Sequence, residues 1–262
     1  MERKLTIGHN AGFFSCCMVR LCEIVEFLNR NKILPDVVDS SQQFSWYKKD
    51  NSKDLTFEYF DDYNNYIIIP NVKTRFHWTQ QYANYSTINY DGVVPIFNKY
   101  FTPSYEIKDM IKNLEKKYDL DYENICVLFY RGNDKNRETL ICSYEEYIPY
   151  AKKIKKENSN IKFLIQSDET EFITKMLETF PDESFYMKDE IRHMSKSNIT
   201  VDYITPKVEL LHFSKLYLAI TVTMSKCKTV ICGSGNCSLA IMLYRGNSNN
   251  VYQNLMGTWL TL

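Results

Sequence analysis

Arg131 ends the run Cys126-Val127-Leu128-Phe129-Tyr130 and opens the cluster Gly132-Asn133-Asp134-Lys135. An apolar β-type run that stops at an arginine delivers a fixed guanidinium to the carboxyl end of a buried strand. A guanidinium stays charged and pairs with oxyanions through parallel N–H bonds. In open α/β sheets ligands sit at that edge. The chemistry expected of Arg131 is therefore phosphate binding, with a surface ion pair to Asp134 as the plainer alternative. Two further stretches share this form. Ser167-Asp168-Glu169 follows the apolar run Ile161 to Gln166, and Gly233-Ser234-Gly235-Asn236-Cys237-Ser238 follows Thr229 to Cys232 and opens a helix. Gly233 and Gly235 let backbone approach a ligand closely. The free N–H groups and positive end of the helix that follows suit a diphosphate. A tight turn capped by Asn236 or Ser238 would read the same way. Asp168 equally suits capping of the helix after it.

Three strand ends converge only if their strands run parallel. The pattern supplies this. Beyond a break at Phe101-Thr102-Pro103-Ser104, Ser104 is placed to cap a helix from Tyr105 to Lys117. Strands are expected at Ile125–Tyr130, Ile161–Gln166, Ser184–Met187, Thr229–Cys232 and Asn250–Gln253. Helices are expected at Ser143–Glu157, Glu169–Phe180, Lys207–Met224 and Cys237–Tyr244. Such alternation implies βαβ units and a parallel sheet. The first hundred residues are less regular. Strands are expected at Leu5–Ile7, Ile33–Val38 and Tyr66–Ile69, and a helix from Ser15 to Asn29. Residues 71–92 read as a long loop with short elements, of a length often functional. These elements divide the chain into domains 1–103 and 104–262.

The bulk composition excludes several classes. The 262 residues carry 32 basic and 32 acidic side chains, with 44 % hydrophobic residues, so the chain is globular and no electrostatic platform for nucleic acid is present. No apolar run is long enough to span a membrane. The start, Met-Glu-Arg-Lys-Leu-Thr-Ile, has neither the apolar stretch nor the cleavage site of a signal peptide. The eight cysteines form no C-x-x-C pair and match no zinc spacing, so reduced, buried thiols in a cytoplasmic protein are expected.

Other candidates are weaker. Gly8-His9-Asn10-Ala11-Gly12 is a fourth strand-end loop, without the full dinucleotide fingerprint. In it His9 or Asn10 either contacts a substrate or shapes the turn. The loop Lys73-Thr74-Arg75-Phe76-His77-Trp78 mixes aromatic and basic residues that suit a sugar, and equally an ordinary packed loop. His212, in an apolar helix, is expected in the core. Asp119-Leu120-Asp121 has the D-x-D form of some metal-dependent sugar transferases, but it precedes the strand at 125. It therefore belongs to the amino edge of the sheet, and no metal is expected.

With these residues in place, the chain resembles the fucosyltransferase superfamily of protein O-fucosyltransferases, α-1,6-fucosyltransferases and rhizobial nodulation fucosyltransferases, as a small cytoplasmic version of bacterial, protist or large-virus type. The resemblance lies over roughly residues 125–245. Phe129-Tyr130-Arg131-Gly132-Asn133-Asp134-Lys135 is similar to the family's His-x-Arg-Arg-Thr-Asp-Lys block. Gln166-Ser167-Asp168-Glu169 is similar to its Ser/Thr-Asp-Asp block, and Met224 to Leu239 to its third block. Gly8 to Phe14 is loosely similar to its first glycine loop. Phe129 stands in place of the family's histidine, Gly132 in place of a second arginine, and Ile220 and Thr221 where an acid is expected.

The resemblance implies a GT-B-like α/β fold, two Rossmann-like halves with parallel sheets facing across a cleft. It also implies inverting, metal-independent transfer of fucose from GDP-fucose to a glycan, with no cofactor. Under it Arg131, Asp168 and His9 would be catalytic. Gly8, Asn10, Gly12, Arg131, Asp134, Lys135, Ser167, Ser234, Gly235, Asn236, Cys237 and Ser238 would hold the donor. Arg75, His77 and Trp78 would meet the acceptor. A silent nucleotide- or carbohydrate-binding module on this fold, a glycosyltransferase using another nucleotide sugar, and another Rossmann-type enzyme such as a methyltransferase are the alternatives.

Overall fold

Every residue of Ile125–Tyr130 is buried, as its unbroken apolar run requires of a strand covered on both faces. The computed structural model, which describes residues 3–50 and 52–262, makes this strand the centre of the larger of two sheets. In chain order the elements are β1 (Lys4–His9), α1 (Phe13–Asn31), β2 (Val37–Gln43), α2 (Thr56–Tyr59), α3 (Tyr90–Phe101) and α4 (Tyr105–Tyr118). Then come β3 (Ile125–Tyr130), α5 (Tyr147–Glu157), β4 (Lys162–Ser167), α6 (Thr170–Thr179), β5 (Ser184–Tyr186) and α7 (Val201–Ile204). The chain ends with α8 (Lys207–Lys226), β6 (Thr229–Gly233), α9 (Asn236–Arg245), β7 (Val251–Leu255) and β8 (Thr258–Thr261).

The larger sheet has the order β5-β4-β3-β6-β7-β8, parallel throughout except for β8. The chain leaves β3 toward β4 on one side and later returns to β6 on the other. The strand order therefore reverses between β3 and β6, and at such a switch point two loops part and leave a crevice at the carboxyl ends. Arg131 follows β3 and the Gly233–Ser238 turn follows β6, so both lie at that crevice. The smaller sheet is one parallel pair, β1 with β2, joined through α1. It is a single βαβ unit.

Helix α9 lies between the two halves, and seven of its ten residues are buried. It stops at Gly246, whose φ of 72° favours a residue without a Cβ. Helix α3 packs on α9, and the Tyr244 hydroxyl donates to the Phe101 carbonyl at 2.9 Å, satisfying one end of α3. The link Phe101–Tyr105 is where the chain passes from α3 to α4.

The first hundred residues differ most from expectation. The second strand is displaced to Val37–Gln43, a polar sequence, while residues 33–36 are irregular because Pro35 offers no N–H to a ladder. Residues 66–69 form no strand, and Ile67 and Ile69 are 98 % and 97 % exposed. Helix α3 is additional; Gly92 and Pro95 conceal it in the sequence, but the Asn89 side chain caps it by accepting the Gly92 N–H at 3.0 Å. Ser104 stands at the N-cap of α4, yet its hydroxyl turns to the Glu58 carbonyl instead of capping. Residues 143–146 form a turn before α5, closed by the Ser143 N–H on the Glu146 carboxylate. β8 was not expected. His212 is exposed on the first turns of α8, outside the core.

Candidate active site

A cleft of about 760 Å³ opens between the two sheets. The carboxyl end of β1 enters it from one side with His9. The carboxyl ends of β3 and β6 enter from the other.

Arg131 is held at each of its nitrogens. Its Nε donates to Asp168 Oδ2 at 3.0 Å, Nη1 to the Tyr217 hydroxyl at 3.3 Å and Nη2 to Asp134 Oδ1 at 3.2 Å. A guanidinium has five N–H groups. Three are spent on orientation, leaving one each on Nη1 and Nη2. The side chain keeps 28 % exposure and lines the cleft. Burial works against its charge, but Asp168, Tyr217 and Asp134 outweigh it and the pKa is raised. The expected pair with Asp134 forms without consuming the guanidinium, whose two remaining N–H groups stay open to the cleft.

Asp168 stands behind the arginine. Its Oδ1 accepts the Gly132 N–H at 3.0 Å and its Oδ2 takes Arg131. Both oxygens are committed, and the N-cap position of α6 is Glu169, not Asp168. Asp168 is thus a positioning residue for the β3 loop. Glu169, fully buried, accepts the Asn133 N–H at 2.6 Å and the Tyr144 hydroxyl. Its carboxylate fills the space beside Gly132: a Cβ there would stand 2.0 Å from Oε1. This is the physical reason that glycine follows Arg131 where the resembling family carries a second arginine.

Across the crevice, the N–H groups of Asn236, Cys237 and Ser238 open α9 and have no acceptor among the described residues. All three residues line the cleft. Neither Asn236 nor Ser238 caps the helix; Ser238 donates to the Gly233 carbonyl at 2.6 Å. The turn is braced from the first half. The Gly235 N–H donates to the Tyr85 hydroxyl at 3.1 Å, and Gln253 bridges the Ala83 carbonyl and Ser234 Oγ at 2.8 and 2.9 Å. The long 71–92 loop thus closes one wall of the site. Lys135 joins it there, donating to the Tyr82 hydroxyl at 3.1 Å and to Glu138 at 2.5 Å, with its Cε in tight contact with the position a Gly235 Cβ would take.

On the opposing side His9 lines the cleft with its Nε2 3.0 Å from Ser15 Oγ. Burial lowers its pKa from the ordinary 6.5, so the imidazole is neutral at pH 7. Gly12 and Trp78 line the cleft as well. Other expected residues do not reach it. Asn10 shapes its turn, bonding the Gln42 carbonyl at 2.8 Å and the Ser45 N–H at 3.0 Å. Gly8 packs against Gln42, and Ser167 accepts the Glu169 N–H at 3.0 Å. His77 caps the 3-10 turn Trp78–Tyr82, and Arg75 is exposed outside the cleft. Asp119 ends α4 in a left-handed conformation, at the edge opposite the cleft. Among the described residues no group of three or more His, Cys, Asp or Glu is placed to hold a metal.

The cleft also contains groups with no local sequence signal. Asp202 accepts the Tyr47 hydroxyl at 3.0 Å and pairs with Arg192 at 2.7 Å, tying the two halves together. Buried polar atoms without a protein partner gather here: Gln81 Oε1, Thr139 Oγ1, Gln166 Oε1, Asn236 Oδ1 and Asn254 Nδ2 all belong to cleft residues. Folded proteins seldom leave such atoms unpaired, and their concentration marks a surface shaped for a polar ligand.

Two α/β units facing across a cleft, with the ligand edge of the larger sheet turned inward, define a GT-B-like fold. Solved structures share it over the whole chain. The NodZ alpha-1,6-fucosyltransferase soaked with GDP-fucose aligns with a TM-score of 0.61 at 12 % identity, covering 100 % of this chain and 99 % of that one. The same enzyme co-crystallised with GDP gives 0.58 at 13 % identity, covering 99 % and 98 %. The fucosyltransferase NodZ from Bradyrhizobium gives 0.57 at 10 % identity, covering 97 % and 96 %. No protein-family model and no curated protein matches the sequence.

Proposed function

We propose that this protein is an inverting, metal-independent glycosyltransferase that moves fucose from GDP-fucose to a glycan hydroxyl. One observation carries the reading: the two spare N–H groups of Arg131 and the three free N–H groups of α9 meet in one cleft at the switch point of the sheet. Five donors around one crevice suit a diphosphate. The fold likeness to enzymes solved with GDP-fucose and GDP supports the same donor.

In the reaction the bond between the sugar's anomeric carbon and the β-phosphate oxygen breaks, and its electron pair leaves with GDP. Arg131 and the start of α9 stabilise that growing charge, the form of stabilisation that contributes most to many enzymes. The acceptor hydroxyl attacks from the opposite face of the sugar and gives up its proton. His9, neutral and facing the donor from the other half, receives it, and Trp78 offers an apolar face to the acceptor sugar. Asp134 and Lys135 hold the phosphate wall in place. Eight buried, unpaired cysteines support a reducing, cytoplasmic setting.

The test is GDP release from GDP-fucose across a panel of glycan acceptors, with and without chelator. Chelator-insensitive release is expected. Stabilisation by GDP with no turnover on any acceptor would replace this reading with that of a binding module. If His9 is the base, His9→Gln lowers kcat about a hundredfold and leaves GDP affinity unchanged. Wild-type kcat then falls as the pH drops below 6.5 and through the lowered pKa of His9. Stability follows the same sign, because protonation of His9 is disfavoured in the folded state and so favours unfolding at acid pH. A flat kcat profile between pH 5 and 8 (about the span over which a histidine titrates) would remove His9 from this role.

A further inference from the structure

Gln166 is 6 % exposed at the end of β4 and lines the cleft, yet its Oε1 is buried without a donor and its Nε2 forms no hydrogen bond within the described residues. A buried amide oxygen left without a donor is costly unless a ligand completes it, and the Nε2 beside it is free to donate to the same ligand. Its surroundings narrow the ligand. Phe129 is its register partner on β3, so the two side chains share one face of the sheet. Phe213, Tyr217 and Ile220 on α8, spaced to lie on one helix face, line the cleft together with Ile191. The charged groups on this side of the cleft satisfy one another, since Arg192 pairs with Asp202 at 2.7 Å and lies over the Phe213 ring, so the Gln166 amide is the polar group left open beside aromatic and aliphatic walls. A flat base with a hydrogen-bonding edge fits it. The subsite lies about 7 Å back along β4 from Asp168, the residue that anchors the phosphate-facing arginine.

Resting on the nucleotide-sugar reading, we infer that Gln166 reads the base of the donor. Its Oε1 accepts the guanine N1–H and its Nε2 donates to O6. The amide is a specificity residue for the nucleotide, remote from the bond that breaks.

The test compares GDP and inosine diphosphate, which lacks the guanine 2-amino group, by calorimetric titration at fixed salt. The wild type is expected to bind both with similar affinity. Gln166→Leu raises both dissociation constants about tenfold to a hundredfold, the worth of two hydrogen bonds. Its melting temperature without ligand is no lower than that of the wild type, because a buried oxygen without a donor is gone. Gln166→Glu, which can only accept, still pairs with the two adjacent N–H groups of guanine. It therefore gains a preference for GDP over inosine diphosphate that the wild type lacks. If Gln166→Leu binds GDP as the wild type does, or loses thermal stability without any selective loss of nucleotide, the inference is overturned while the donor reading stands. If the wild type binds neither nucleotide, both fall together.

Discussion

Replacement of Arg131 by alanine is expected to lower both GDP affinity and turnover by about two to three orders of magnitude, the usual cost of losing one preorganised donor to a developing oxyanion. Two N–H groups leave the proposed diphosphate site at once. The fold should survive. Asp168, nearly fully buried, loses the Arg131 Nε–H but keeps the Gly132 N–H at 3.0 Å, so the stability loss is expected at about 1–3 kcal/mol. Lysine should restore little, since an ammonium cannot satisfy Asp168, Asp134 and Tyr217 while facing a phosphate. Titration with GDP and single-turnover kinetics on the same preparations separate binding from chemistry. An Arg131→Ala protein that binds and turns over GDP-fucose normally would remove the basis for the donor assignment.

The second large effect is expected at Gly132, where stability and not chemistry is lost first. Alanine there would place a Cβ 2.0 Å from Glu169 Oε1 and 2.1 Å from its Cδ. Glu169 cannot yield cheaply, because its carboxylate is fully buried and accepts the Asn133 N–H and the Tyr144 hydroxyl. Displacing it combines overpacking with the loss of hydrogen bonds to a charged group, together about 3–5 kcal/mol. That corresponds to a fall of about 10 °C in melting temperature for a chain of this size. Gly132→Arg should do the same and bring no second phosphate contact. Pairing Gly132→Ala with Glu169→Ala should recover part of the loss, which a double-mutant cycle measures. Additive losses would mean that the contact between Gly132 and Glu169 does not limit the loop.

The larger sheet was legible because its strands are local signals. Ile125–Tyr130 is apolar without interruption, and the turns after β3, β4 and β6 carry residues whose chemistry differs from the strands they end. The first half was legible only in part. β2 has the polar sequence Val-Val-Asp-Ser-Ser-Gln-Gln, so the apolar residues before it drew the expected strand toward the amino end. Gly92 and Pro95 hid α3, and Tyr66–Ile69 has strand composition but no neighbouring strand to pair with. Within the site, Arg131 and the α9 turn stand out by type. Tyr85, Gln253 and Tyr217 do not, since each acts across 19 to 150 residues of chain: Tyr85 on Gly235, Gln253 on Ser234, Tyr217 on Arg131. Asp168 has the composition of a reactive group, and only its partners reveal that it orients another. Asn10 and Ser167 likewise read as ligand contacts until the backbone atoms they satisfy are seen.

The most direct measurement is a calorimetric titration of the wild-type protein with GDP, UDP and ADP, repeated for Arg131→Ala. One saturable site for GDP, tighter than for UDP or ADP and lost in Arg131→Ala, is the predicted result. No binding of any of the three, or GDP binding that is indifferent to Arg131, would contradict a diphosphate held between β3 and α9.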